Sequence, residues 1–289
     1  MRKIGDQIGS FLFVLPALAF FVTFSIYPLF KTFQLSFFQW DGMTKNMTFV
    51  GFQNYINAFR DFIWLKSLKN GVYLAILALI IMNSIAFILA VLVNLRIRCS
   101  KFYRVVFYIP PILSGIVVGF IWKWIYDPNY GILNGILDIL HLSQFKRAWL
   151  SDIHTALISV SIASMWQGVG GSFILFLAGL QGIPEELYEA SIVDGASFWQ
   201  QFFYITIPLM SRTLMIVSIL TILGAMQLLT IVIPLTNGGP GFETEVPALR
   251  IYKEAFSNYR FGYATALSVL LGIMLFIISI IQIKLRRTD

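Results

Sequence analysis

Six apolar stretches, each long enough to cross a bilayer, constrain this chain more than any other feature. They run over Phe11–Phe30, Gly71–Leu95, Val105–Tyr126, Ile153–Leu180, Thr213–Leu235 and Tyr263–Ile283. A hydrocarbon core of about 30 Å takes about 20 helical residues, and lipid offers the backbone no hydrogen-bond partner. The expected class is an all-α membrane protein of six transmembrane helices. Charge supports this: 12% of the residues are charged, where soluble domains carry about 25%. Aromatic residues make up 16%, mostly Phe, as lipid-facing helices and interfacial belts do. Arg2 and Lys3 precede the first stretch, as in a signal peptide. Its apolar run exceeds the usual length of such peptides and no small-residue cleavage site follows, so an uncleaved helix is expected.

Orientation follows from basic residues at the span ends. Arg96, Arg98, Lys101 and Arg104 crowd the link between spans two and three, and Lys284, Arg286 and Arg287 close the chain. With Arg2 and Lys3 these fall on one side, which the positive-inside rule assigns to the cytoplasm. Both termini, and the link between spans four and five, are then expected to be cytoplasmic. The net charge of +7 is dispersed among span ends rather than gathered in a stripe, so no nucleic-acid partner is expected. Cys99 is the single cysteine and can form no internal disulfide. His141 and His154 lack ligand neighbours at metal spacing, so no metal site is expected.

The cytoplasmic link Pro184–Pro208, PEELYEASIVDGASFWQQFFYITIP, reads as a short capped helix over 184–195. Pro184 suits the first helical position, and Glu185 and Glu186 suit the positive end of the dipole. Gly195 stands where a C-terminal cap takes positive φ. Ala190 and Ser191 are small enough to let a partner surface approach. A capped surface helix is the plain interpretation; its place on the cytoplasmic face makes it a candidate docking element.

The spans themselves carry almost no ionisable groups. Lys123 is the exception, with Asp127 four residues on, and snorkelling to the outer interface accounts for it. Without a buried Asp, Glu or His relay, an ion-coupled carrier has little support. No Walker A sequence occurs, and NGGPG at Asn237–Gly241 reads as a turn. No catalytic set is identifiable. Gly168 with Ser172, and Gly115 with Gly119, are small pairs suited to close helix packing. Asn83, Trp166, Gln167 and Gln227 are the candidate solute-path residues, because amides beside an aromatic face suit a sugar ring; interhelical bonding is the competing role. Trp122, Trp124 and Tyr126 read as an outer aromatic belt.

The four–five link resembles the EAA signature of ABC importer membrane subunits, E-A-A, three residues, G, nine residues, I-x-L-P. Here it stands as Glu189-Ala190-Ser191, Gly195 and Ile205-Thr206-Ile207-Pro208, with Ser191 and Ile207 departing conservatively. Sections such as VGFQNYINAF at Val50–Phe59, YIPPILSGIVVGFIWKWIYDPNYGILN at Tyr108–Asn134 and LTNGGPGFETEVPALRIYKEAF at Leu235–Phe256 resemble the maltose and multiple-sugar branch. The resemblance implies a type I ABC importer transmembrane fold over 71–284, with an added helix and extracytoplasmic loop over 1–70. It implies that 184–195 is a coupling helix seated on a cytoplasmic ATPase. Glu189, Ala190 and Ser191 would make the contact, Gly195 the turn, and Asp194 a cap or a pairing with the ATPase surface. The implied partners are a second homologous permease, two ATPase subunits and an extracytoplasmic solute-binding protein. ATP and Mg would sit on the ATPase and no cofactor on this chain. The implied function is import of a carbohydrate, an oligosaccharide above all, across the cytoplasmic membrane of a bacterium or archaeon. A non-sugar solute such as glycerol phosphate is the alternative, and an ion-coupled carrier a weaker one.

Overall fold

The computed structural model describes residues 13–95 and 100–286. Arg2, Lys3, Phe11, Arg96, Arg98, Cys99 and Arg287, and the side chains of Lys101 and Arg286, lie outside the described residues. In chain order the elements are α1 (Phe13–Leu35), strands β1 (Phe38–Gln39) and β2 (Thr48–Phe49), α2 (Gln53–Arg60) and α3 (Phe62–Asn94). Then come α4 (Ser100–Ile112), α5 (Gly115–Ile125), α6 (Ile132–Ile139), α7 (Ala156–Gln181) and α8 (Glu185–Val193). The remainder are α9 (Phe198–Met226), α10 (Val232–Leu235), α11 (Pro247–Tyr252) and α12 (Phe261–Arg286). The chain forms two compact units, one of residues up to Asp61 with Ile251–Met274, the other of Phe62–Arg250 with Leu275 onward.

In the first unit, α1 buries none of its apolar window within the protein, leaving that surface to lipid. Its wide π turn at Val22–Ile26 directly precedes Tyr27-Pro28, because a proline in a helix withholds an N–H and crowds the preceding turn. The ribbon pairs Phe38 with Phe49 and Gln39 with Thr48, antiparallel. The buried Asn54 amide on α2 donates to the Ser36 and Phe38 carbonyls, both at 2.9 Å. The start of α12 closes on the ribbon: Gly262 N–H donates to the Trp40 carbonyl at 3.0 Å, and the Tyr263 hydroxyl to Asp61 at 2.9 Å.

The second unit is a helix bundle. Along α3, Ala86 and Ala90 are fully buried with Phe87 beside them, and Phe87 meets Phe176 of α7 edge-on at 5.3 Å. Met210 and Val217 of α9 complete that core cluster. A second cluster joins Leu74, Val118, Val160, Ile231, Val232 and Leu249. Gly115 and Gly119 of α5 pack against Thr230 and Pro234, the close packing expected of small pairs.

Span three differs from its expected single helix: α4 and α5 meet at 96°. Pro110 and Pro111 remove donors from the end of α4, and Ser114 adopts an extended ψ of 139° before α5 starts. By length and composition the described helices include five that can cross a membrane, and a sixth span where the bent pair counts as one.

Span five also differs. It begins at Phe198 rather than Thr213 and ends at Met226 rather than Leu235. A π turn at Phe202–Thr206 again precedes a proline, Pro208, and carries the helix through the aromatic run. Beyond Gln227 the chain folds back, burying Ile231, Val232 and Leu235. Span two likewise starts earlier, at Phe62. Of the expected aromatic belt, Trp124 is exposed, but Tyr126 is buried and donates to the Ser159 carbonyl at 3.1 Å. Asp127 lies past the end of α5 and accepts from the Asn129 and Tyr130 N–H groups, so it caps a turn instead of facing Lys123 along a helix.

Candidate functional site

Helix α8 is set by local chemistry at both ends. Pro184 takes φ −58° and ψ 132°, so it is the N-cap and not the first helical residue. Its fixed φ fits either position, and only ψ separates them. Glu185 and Glu186 occupy the first turn. Asp194 is the C-cap and Gly195 follows at φ +78°. The N–H groups of Asp194, Gly195 and Ala196 donate to the Ala190, Ile192 and Ser191 carbonyls, so the helix end is closed internally. Nothing lies within 4 Å of the place a Gly195 Cβ would take. Ser197 and Gln200 then form a reciprocal capping box that starts α9.

One face of α8 is tied to α9. The Ser191 hydroxyl donates to the Tyr188 carbonyl at 2.7 Å and accepts from the Gln201 amide at 3.0 Å. The Tyr188 and Thr206 hydroxyls share a bond of 2.9 Å. Ser191 thus spends its hydroxyl inside the chain, a use that the E-A-A pattern does not contain. The other face is open: Glu189, Ala190, Asp194 and Gly195 are exposed, and Ile192 and Val193 are 64% and 87% exposed. A cleft of about 450 Å³ lies behind the helix, walled by Asn94, Arg104, Gln181, Glu185, Tyr188 and Gln201.

A second cavity, of about 420 Å³, opens among α3, α7 and α9. Its polar wall consists of Ser164, Gln167, Ser172 and Thr221; the rest is apolar or glycine, with no charged side chain. Asn83 stands behind that wall, its Oδ1 accepting from Ser172 and Thr221 hydroxyls, each at 3.1 Å. The Gln167 amide is in the wall but donates to the Leu113 carbonyl at 2.7 Å, at the break between α4 and α5. Three residues on, Gly170 meets the same bent pair: any Cβ there would collide with the Phe107 carbonyl. That carbonyl's usual helical donor would be residue 111, which is proline. Trp166 instead packs edge-on to Trp122 at 5.9 Å, and Gln227 caps the exposed end of α9; neither is in the cavity wall. Sequence reasoning missed Gly171 and Gly224, which line the cavity with open space where a Cβ would be. Gly171 is visible in the run GVGG, but that run suits packing as well as it suits a lumen.

The family described as binding-protein-dependent transport system inner membrane component matches residues 98–287. The chain belongs to that family. Among its relatives, the diacetylchitobiose uptake system permease protein NgcF of Streptomyces coelicolor is 35% identical, over 92% of this chain and 79% of that one. The multiple sugar-binding transport system permease protein MsmF of Streptococcus mutans is 31% identical, over 99% of this chain and 98% of its own. In fold it matches a chain of a bacterial ABC transporter involved in the import of the acidic polysaccharide alginate. The TM-score is 0.82 at 22% identity, over 99% of this chain and 98% of that one. The permease is therefore a multi-pass membrane component of a binding-protein-dependent transporter, with the ABC importer transmembrane fold.

Proposed function

We propose that this permease passes a neutral carbohydrate, an oligosaccharide, inward across the cytoplasmic membrane of a bacterium or archaeon. ATP and Mg are bound by two separate ATPase subunits, this chain binds no cofactor, and a second homologous permease completes the path. The observation that carries the solute class is the uncharged cavity among α3, α7 and α9, with hydroxyls and an amide on an otherwise apolar wall. A phosphorylated solute would call for cationic groups there. The names of NgcF and MsmF, which speak of diacetylchitobiose and sugars, support the same class.

The exposed part of α8, with Glu189, Ala190, Asp194 and Gly195, seats on an ATPase, while Ser191 holds the helix to α9 from the other face. Closure of the two ATPases displaces α8, and the Tyr188–Thr206 and Ser191–Gln201 bonds pass that displacement to the foot of α9. The upper part of α9 contributes Val217, Thr221 and Gly224 to the cavity wall. Movement at the loop thus reshapes the cavity through one rigid element.

Uptake of labelled oligosaccharides by cells lacking the gene, and by the same cells carrying Gly224→Trp, tests this. Deletion should abolish uptake of at least one oligosaccharide. Gly224→Trp should lower it more than tenfold while an ATPase still co-purifies with the tagged chain. Undiminished saccharide uptake in the deletion strain refutes the assignment.

A further inference from the structure

The first unit holds a polar cavity of its own, about 430 Å³, built from the loop after α1, helix α2 and the residues that lead into α12. Trp40, Asp41, Asn46, Asn57, Tyr259 and Arg260 are among its walls. We propose that this cavity is a subsite for a neutral saccharide. The proposal rests on the carbohydrate assignment above and adds a binding site outside the membrane path.

A pyranose presents a rim of hydroxyls and flat patches of C–H. A site for it combines aromatic rings with planar groups able to bond adjacent hydroxyls. This cavity has both, and its parts are positioned by bonds that leave ligating capacity over. The Trp40 indole N–H donates to the Thr44 carbonyl at 2.7 Å, and its ring meets Phe261 edge-on at 5.4 Å. Asp41 accepts the Met43 and Thr44 N–H groups and the Thr44 hydroxyl, all on Oδ1, so Oδ2 keeps its capacity for a ligand hydroxyl. Those bonds, the Met43 N–H foremost, hold the Asp41 carboxyl below the usual range and keep it an acceptor. The Gln53 amide donates to Asn57 Oδ1 at 2.9 Å, which orients the Asn57 amide and leaves its N–H groups to donate.

Tyr259 supplies a second independent sign. It has φ +52°, a left-handed conformation that is rare for a residue with a bulky side chain. Three bonds impose it: Asn258 N–H to the Lys253 carbonyl, Arg260 N–H to the Glu254 carbonyl, both at 2.8 Å, and the Asn258 amide to Glu254 at 3.0 Å. The result is a tyrosine ring left 53% exposed at the cavity rim. Strain maintained by surrounding bonds is a feature of binding sites.

Charge selects the ligand class. Arg260 lies 3.3 Å from the buried Glu254 and its guanidinium sits 4.4 Å over the Tyr263 ring, so its charge is already balanced. Asp41 adds a negative group. An acidic sugar gains nothing here, whereas a neutral one finds donors and acceptors together.

The test is saturation-transfer NMR on the full permease, purified with whatever partners accompany it. The probes are maltotriose, raffinose and triacetylchitotriose. At least one should give a signal with the wild type and with Gly224→Trp. Tyr259→Ala and Asn57→Ala should each weaken that binding about tenfold, and Asn46→Ala, at an exposed position, checks the result without touching the packed part of the unit. Silence with all three probes overturns the subsite, as does a signal that none of the loop substitutions changes but Gly224→Trp removes. Uptake by cells judges carbohydrate import separately: uptake that depends on the gene but not on Tyr259 or Asn57 leaves the import assignment standing and removes the subsite.

Discussion

Asn83 accepts hydrogen bonds from two hydroxyls on two other helices, which makes it a strut between α3, α7 and α9. In Asn83→Leu the Ser172 and Thr221 hydroxyls would turn to carbonyls of their own helices. Interhelical bonds within membranes contribute about 0.6 kcal/mol on average and up to about 1.7. Asn83→Leu should therefore lower the thermal midpoint of the detergent-solubilised permease by a few degrees and retain at least half of the uptake. Gly224→Trp should do the reverse, sparing the midpoint and stopping uptake. Equal loss of uptake in both would place Asn83 in the path itself. That a polar residue inside a span needs a partner was legible in the sequence; which partner was not. Gln167 illustrates why, since its acceptor is a carbonyl 54 positions away, exposed by a helix break that the apolar pattern conceals.

At the scale of elements, α8 was the most legible part of the chain, because its signals are local. The carboxylates of the first turn and the glycine at positive φ stand where spacing put them. The bend between α4 and α5 was less legible, since hydropathy runs through it unchanged while Pro110, Pro111 and Ser114 carry the only mark of it. The start of α9 was missed for the opposite reason: Gln200 and Gln201 look like loop but form a capping box and a tie to Ser191. Gly195→Asp separates the roles of α8. A Cβ there meets open space, so the substitution costs the isolated chain only the backbone term, about 1–2 kcal/mol. Membrane levels should stay within twofold of wild type. Uptake should fall at least tenfold and the ATPase should be lost on purification, because the added carboxylate projects from the face proposed to be docked. Normal uptake by this variant would remove α8 from the coupling path.

At the scale of the molecule, parity of crossings ties the loops to sides. Six crossings, as hydropathy predicts, would put Met43 on one side of the membrane and Glu186 on the other. Which face is cytoplasmic rests on the basic clusters, several of whose members fall outside the described residues. Cysteine labelling decides it, and the chain suits the method because Cys99 is its single cysteine. In a Cys99→Ser background, Met43→Cys occupies a site that is 74% exposed on the ribbon loop. Glu186→Cys occupies the exposed first turn of α8. A membrane-impermeant maleimide added to intact cells with an opened outer layer should label Met43→Cys and leave Glu186→Cys untouched until the membrane is breached. The opposite pattern would invert the permease, place α8 out of reach of ATP and end the coupling proposal. Labelling of both positions from one side would break the parity itself, leaving the α4–α5 pair as a re-entrant hairpin and the bundle with five crossings.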